Sequence, residues 1–102
     1  MHEVNPELEK LVATLKAHEA ELRGAGLRAL SLFGSTARDE AGEDSDVNLF
    51  FDHKKGRIGL YELIDVKERA ASILGGRVDI MTRASLHPRL RKRIEDSAVL
   101  VF

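Results

Sequence analysis

The run Leu32-Phe33-Gly34-Ser35, followed after ten residues by Asp46-Val47-Asn48-Leu49-Phe50-Phe51-Asp52, sets two short apolar stretches on either side of an acidic segment. The first stretch, Leu27 to Phe33, is too short for a globular helix and is closed by Gly34, which predicts a strand over Ala29 to Phe33. The second alternates from Asp46 to Asp52. Val47, Leu49 and Phe51 point one way, and Asp46, Asn48, Phe50 and Asp52 the other, as in a strand. Between them, Ser35 to Ala41 suits a short helix and Gly42-Glu43-Asp44 an acidic loop.

Working outward toward the N-terminus, Asn5 is a plausible helix cap and Pro6 suits the first helical position. Leu8, Leu11, Val12, Leu15 and Leu22 repeat at helical spacing, and Gly24 with Gly26 ends the helix. Toward the C-terminus, His53 to Gly59 reads as a basic turn. A helix over Leu60 to Leu74 follows, with Leu60, Leu63, Ile64, Ala70, Ala71 and Leu74 as its expected buried stripe. Gly75-Gly76 breaks it, Arg77 to Met81 predicts a third strand, and Leu90 and Ile94 mark a last helix with Pro88 in its first turn. Val99 to Phe102 is expected to be an edge strand or a docking tail. The order α–β–α–β–α–β–α predicts an α/β (α+β) fold with helices covering one face of a small sheet, as a single domain over residues 1–102.

The bulk properties exclude several classes. With no cysteine, disulfides and thiolate metal sites are ruled out. The first residues lack the basic and apolar regions of a signal peptide, and no apolar run nears the roughly 20 residues that span a bilayer. The expectation is a soluble cytoplasmic protein with no membrane association. Sixteen basic and 17 acidic side chains nearly cancel, so overall charge does not point to nucleic acid. The charges are unevenly placed, with Asp39, Glu40, Glu43, Asp44 and Asp46 in the middle and Arg83, Arg89, Arg91, Lys92 and Arg93 near the end.

Two-metal phosphoryl or nucleotidyl transfer needs several carboxylates on rigid backbone, around ions about 3.5–4 Å apart. Positions i and i+2 of a strand share a face, so Asp46 and Asn48 project toward the same point. Asp79, in Val78-Asp79-Ile80, is the natural third group, and an aspartate buried in a short strand needs a partner or a metal. A triphosphate also needs a cradle. Gly34-Ser35, between a strand and a helix, offers backbone N–H groups and a hydroxyl, with Arg38 one turn further on. Each feature alone has an ordinary explanation as a turn, a cap or a solvated side chain. Their joint order and spacing carry the weight.

Leu32-Phe33-Gly34-Ser35-Thr36-Ala37-Arg38-Asp39-Glu40-Ala41 with Ser45 to Asp52 resembles the minimal nucleotidyltransferase (MNT) group of the polymerase-β-like superfamily. That group's signature is G-S, ten residues, then D-x-D. Ile73-Leu74-Gly75-Gly76, Val78-Asp79-Ile80 and Arg93 to Leu100 extend the match over nearly all the chain after the first helix. The resemblance implies a small mixed sheet with the site at its open end. It assigns Gly34, Ser35 and Arg38 to the triphosphate, and Asp46, Asn48 and Asp79 to catalysis and to two Mg²⁺ ions, with ATP as donor. It further implies an antitoxin that transfers AMP to a tyrosine hydroxyl of a HEPN-domain ribonuclease toxin.

Asn48 departs from the pattern, since the group has aspartate there. An amide oxygen still ligates Mg²⁺, but the triad carries two negative charges instead of three. Drift to a binding-only role, a deliberate inactivating substitution and a tolerated variant are all compatible with it. Asp52 shares the strand face but lies roughly 13 Å along the strand from Asn48, too far to replace it. A binding module that neutralises its partner by covering it, and an antibiotic-modifying transferase, are the alternatives. Four scattered histidines lack zinc spacing, Tyr61 is expected to be a half-buried packing residue, and the Arg89–Arg93 cluster to meet solvent or a partner.

Overall fold

A computed structural model of the chain describes residues 6–34 and 46–102. Its elements are α1 (Pro6–Ala17), α2 (Glu19–Gly24), β1 (Leu27–Leu32), β2 (Val47–His53), α3 (Leu60–Leu74), β3 (Val78–Thr82), a 3-10 turn (Arg83–Ser85), α4 (Pro88–Ser97) and β4 (Val99–Leu100). The strands form a sheet of order β3-β2-β1-β4. β2 and β3 run parallel, while β1 is antiparallel to both β2 and β4. The sheet is therefore mixed, and the C-terminal tail supplies an edge strand.

Register explains the core. Leu30 pairs with Phe51, Leu32 with Leu49, and Leu49 with Ile80, so these side chains share one face. Leu15 of α1, Leu22 of α2 and Val66 and Ala70 of α3 close over them in one buried cluster with Val101. Burying each large apolar side chain stabilises by about 1.5–3 kcal/mol, and a chain this short depends on nearly every such residue. The other face carries Ser31, Asn48, Phe50, Asp52, Asp79 and Met81 by the same alternation. Phe50 is still only 2% exposed; Phe33 lies against its ring, centroids 5.8 Å apart.

Four expectations are corrected. The first helix is two, because the chain bends at His18, whose φ of −105° and ψ of 16° leave the helical region. Neither glycine nor proline marks that point in the sequence. The α3 stripe is rotated: Leu60 and Ile64 are exposed, at 69% and 40%, while Leu63, Val66, Ala70, Ile73 and Leu74 face the core. Apolar residues lie on two overlapping faces of this helix, and packing against β3 and α1 selects one. Tyr61 is exposed, not half-buried, since it lies on the unselected face. His53 belongs to β2, not to the turn, and is buried. The expected cap at Asn5 and the helix over Ser35 to Ala41 lie outside the described residues.

Candidate nucleotide and metal site

The parallel pairing of β2 with β3 places Val47 beside Val78 and Asn48 beside Asp79. Both strands begin here, so the two side chains stand next to each other on the face away from the helical core. Asp46 precedes β2 by one residue and, two positions from Asn48, shares its face. Asp46 and Asp79 are exposed and Asn48 is half-buried. The burial argument for Asp79 therefore fails. Ile80 takes the buried position, and the Asp79 side chain is open to solvent. What singles Asp79 out is its position beside Asn48.

The end of β1 reaches the same point. The Phe33 N–H donates to the Asn48 carbonyl at 3.0 Å, which brings Gly34 over the Asn48 side chain. Gly34 has φ +66°, and a Cβ built on it would stand 3.1 Å from Asn48 Nδ2. Glycine is thus required twice, for a left-handed backbone and for close approach. Leu90, Arg93, Ile94 and Ser97 of α4 form the facing wall of a cleft of about 480 Å³ that opens on Gly34. Small-molecule sites commonly span about 300–1,000 Å³, so the cleft has room for a ligand. Ser35 and Arg38 lie outside the described residues.

Among the described residues no three His, Cys, Asp or Glu side chains converge as a metal-binding group. At the register position beside Asp79 the chain carries an amide, Asn48, and not a carboxylate. Asp52, on the same strand face, is committed elsewhere. Arg83 Nε donates to Asp52 Oδ1 at 2.9 Å and Nη2 to Oδ2 at 2.9 Å, a forked pair. The same guanidinium bonds Glu95 of α4 and lies over the Phe50 ring, 4.9 Å from its centroid. Its bonds to Asp52 and Glu95 push the Arg83 pKa above its ordinary value, although partial burial opposes the shift. Arg83 thereby ties β2 to α4, the helix that walls the cleft. In the sequence Arg83 belongs only to a basic cluster; its place two residues past the predicted strand Arg77 to Met81 was the available signal.

A family model, the nucleotidyltransferase domain, matches residues 9–101. This chain belongs to that nucleotidyltransferase family. Protein adenylyltransferase MntA of Thermococcus cleftensis is 37% identical over 95 residues, covering 92% of this chain and 95% of the relative. A solved structure described as a candidate minimal nucleotidyltransferase superposes with a TM-score of 0.77 at 37% identity, covering 90% of this chain and 93% of that one. A toxin–antitoxin complex crystallised with AMP-PNP shares the fold, with a TM-score of 0.70 at 19% identity over 87% of this chain and 72% of that chain. The mixed four-stranded sheet and its helices are thus the minimal nucleotidyltransferase fold, and the protein is a nucleotidyltransferase enzyme. Among the described residues, none of this nucleotidyltransferase's helices is long and apolar enough to cross a membrane.

Proposed function

We propose that this nucleotidyltransferase is a single-domain, cytoplasmic MNT-type antitoxin that transfers AMP from ATP to a tyrosine hydroxyl of a HEPN-domain toxin and so neutralises it. The observation that carries the proposal is the register of Asn48 with Asp79, with Gly34 packed against Asn48. Gly34, Asn48 and Asp79 thus share one sheet end, which supports reading that end as the seat of a triphosphate and its counter-ions. Similarity to a protein adenylyltransferase over nearly the full length of both chains supports AMP as the group transferred.

In this reading Gly34 and Ser35 receive the triphosphate and Arg38 adds a charge beside it. The donor set of Asp46, Asn48 and Asp79 is two carboxylates and an amide carbonyl, all oxygen, which suits Mg²⁺. Magnesium, when bound, neutralises the triphosphate and the charge that develops on the leaving pyrophosphate. Asp79 orients the tyrosine hydroxyl and accepts its proton. The hydroxyl oxygen forms a bond to the α-phosphorus as the bond to the bridging oxygen of pyrophosphate breaks. Asn48 supplies no negative charge, so the second of the two ions is held weakly and the rate falls by orders of magnitude relative to an aspartate at this position.

Incubation with α-labelled ATP, Mg²⁺ and the partner toxin tests this directly. Label should appear on a toxin tyrosine, slowly with this chain and much faster after Asn48→Asp. Absence of label with both proteins defeats the catalytic reading.

A second reading is favoured by the amide at position 48: neutralisation by complex formation alone. It requires a stable toxin complex without ATP, and toxin inhibition that survives Asp46→Asn and Asp79→Asn. Loss of inhibition in those variants excludes it.

A further inference from the structure

A second cavity, about 290 Å³, opens at the far end of the sheet. Arg28, Asp52, His53, Gly56, Thr82, Arg83 and Arg91 are among its lining residues. Asn48 and Asp79 lie at the starts of β2 and β3, whereas His53 and Thr82 end those strands. Four residues of strand from Asn48 to Asp52 separate the two sites by roughly 13 Å. Nothing in the nucleotidyltransferase reading uses this cavity.

Its charge is unbalanced. Arg83 is outnumbered by the two carboxylates it bonds, Asp52 and Glu95, so the positive charge of the cavity rests on Arg28 and Arg91. Arg28 is exposed and has no ion pair among the described residues. Arg91 donates through Nη2 to the Ala84 carbonyl at 3.1 Å, while its Nε is buried without an acceptor among the described residues. His53 Nε2 is also buried without a hydrogen bond, but it faces Gly26 and lies 3.7 Å from Glu62, so it is not offered to the cavity. The turn carrying Gly56 adds Lys54 and Arg57 nearby in sequence.

We propose that this cavity is a second anion site, taking a phosphoryl group between Arg28 and Arg91, distinct from the nucleotide cleft beside Gly34. Neither Arg28 nor Arg91 has a carboxylate partner among the described residues, so one dianion can take a charge-assisted bond from each. A phosphate monoester carries roughly −1.5 to −2 at neutral pH, and a carboxylate only −1. Guanidinium forks also match phosphate oxygens in geometry. The cavity is small by the standard of ligand pockets, which suits a phosphoryl group with little attached. The source is either free inorganic phosphate or the phosphate of a mononucleotide.

Amide NMR titration of the ¹⁵N-labelled protein without Mg²⁺ tests the site, with inorganic phosphate, 5′-AMP and acetate as separate probes. Phosphate is expected to give saturable shifts at Gly56, Thr82 and Ala84, with acetate much weaker. Tighter binding of AMP through the same amides identifies a nucleotide phosphate as the ligand, and equal binding identifies free phosphate. Arg28→Gln and Arg91→Gln should each weaken binding roughly tenfold. Arg28 is exposed, so its variant decides the matter alone if Arg91→Gln does not fold. Asp79→Asn should leave these shifts unchanged. Non-saturating shifts, acetate equal to phosphate, unchanged affinity in Arg28→Gln, or loss of the shifts in Asp79→Asn each overturn the proposal. None of these outcomes bears on whether the chain transfers AMP.

Discussion

Asn48 and Asp79 are register partners across the parallel strands β2 and β3, so whatever charge one carries is felt by the other. The sheet places them side by side at the point where both strands begin. A neutral amide next to a carboxylate is a stable arrangement without any counter-ion. Two carboxylates there would not be.

Replacing Asn48 by Asp should therefore lower stability in the absence of divalent metal and restore it when Mg²⁺ is added. Like charges directly opposite in a sheet cost roughly 0.2–1 kcal/mol, a few degrees in melting temperature for a chain of this length. Thermal unfolding of both proteins with and without Mg²⁺ reads the effect. A melting temperature indifferent to both changes would show that the two side chains do not face each other.

Arg83 holds Asp52 and Glu95 together, one on β2 and one on α4. Arg83→Met should leave two partly buried carboxylates without their shared cation and destabilise by about 1–3 kcal/mol. Arg83→Lys should recover only part of this, because an ammonium cannot fork onto one carboxylate while bonding a second. Urea unfolding of the three proteins gives the ranking, and equal midpoints would remove the clamp from the account.

Gly26 sits at φ +106°, and a Cβ there would lie 2.1 Å from His53 Nε2. Gly26→Ala should cost about 2–4 kcal/mol, combining backbone strain with a clash against a buried ring. Adding His53→Ala to that variant should return less stability than the clash cost, since the ring is itself buried and packed. Denaturation of the single and double variants separates the two contributions.

Glu62 accepts from the Lys55 ammonium at 3.2 Å and from the Gly59 N–H at the start of α3. The bond from Lys55, followed by that from Gly59, lowers the Glu62 pKa below its ordinary value. Its stabilising contribution is therefore present above the unfolded-state pKa and disappears as pH falls through the lower folded-state value. Glu62→Gln should melt below the parent at neutral pH, and the two melting curves should converge in acid. A constant gap from neutral to acid pH would contradict the assignment.

Much of the fold was legible in the chain because local patterns and packing agree. The alternation from Asp46 to Asp52 predicts β2 to within a residue, and Leu60 to Leu74 is the helix that its flanking glycines predict. The departures fall where several arrangements satisfy the same local pattern. Leu60, Tyr61 and Ile64 form an apolar face as credible as the one that is buried, and only contact with β3 and α1 selects between them. Arg83 is the opposite case. Its partners lie 31 and 12 residues away, and no local pattern announces them.

What the sequence determined by itself was the kind of chemistry. The Gly34-Ser35 to Asp46-Val47-Asn48 spacing marked the family, and the amide at position 48 marked the missing carboxylate. What only the tertiary structure decided was which groups meet. Parallel pairing puts Asp79 beside Asn48, the Phe33 to Asn48 backbone bond brings Gly34 over the same side chain, and Arg83 withdraws Asp52 from any part in the site. The physical reason is that residue type and strand periodicity are local properties of the chain. Register between strands is a choice among pairings, made by the hydrophobic face they must bury together.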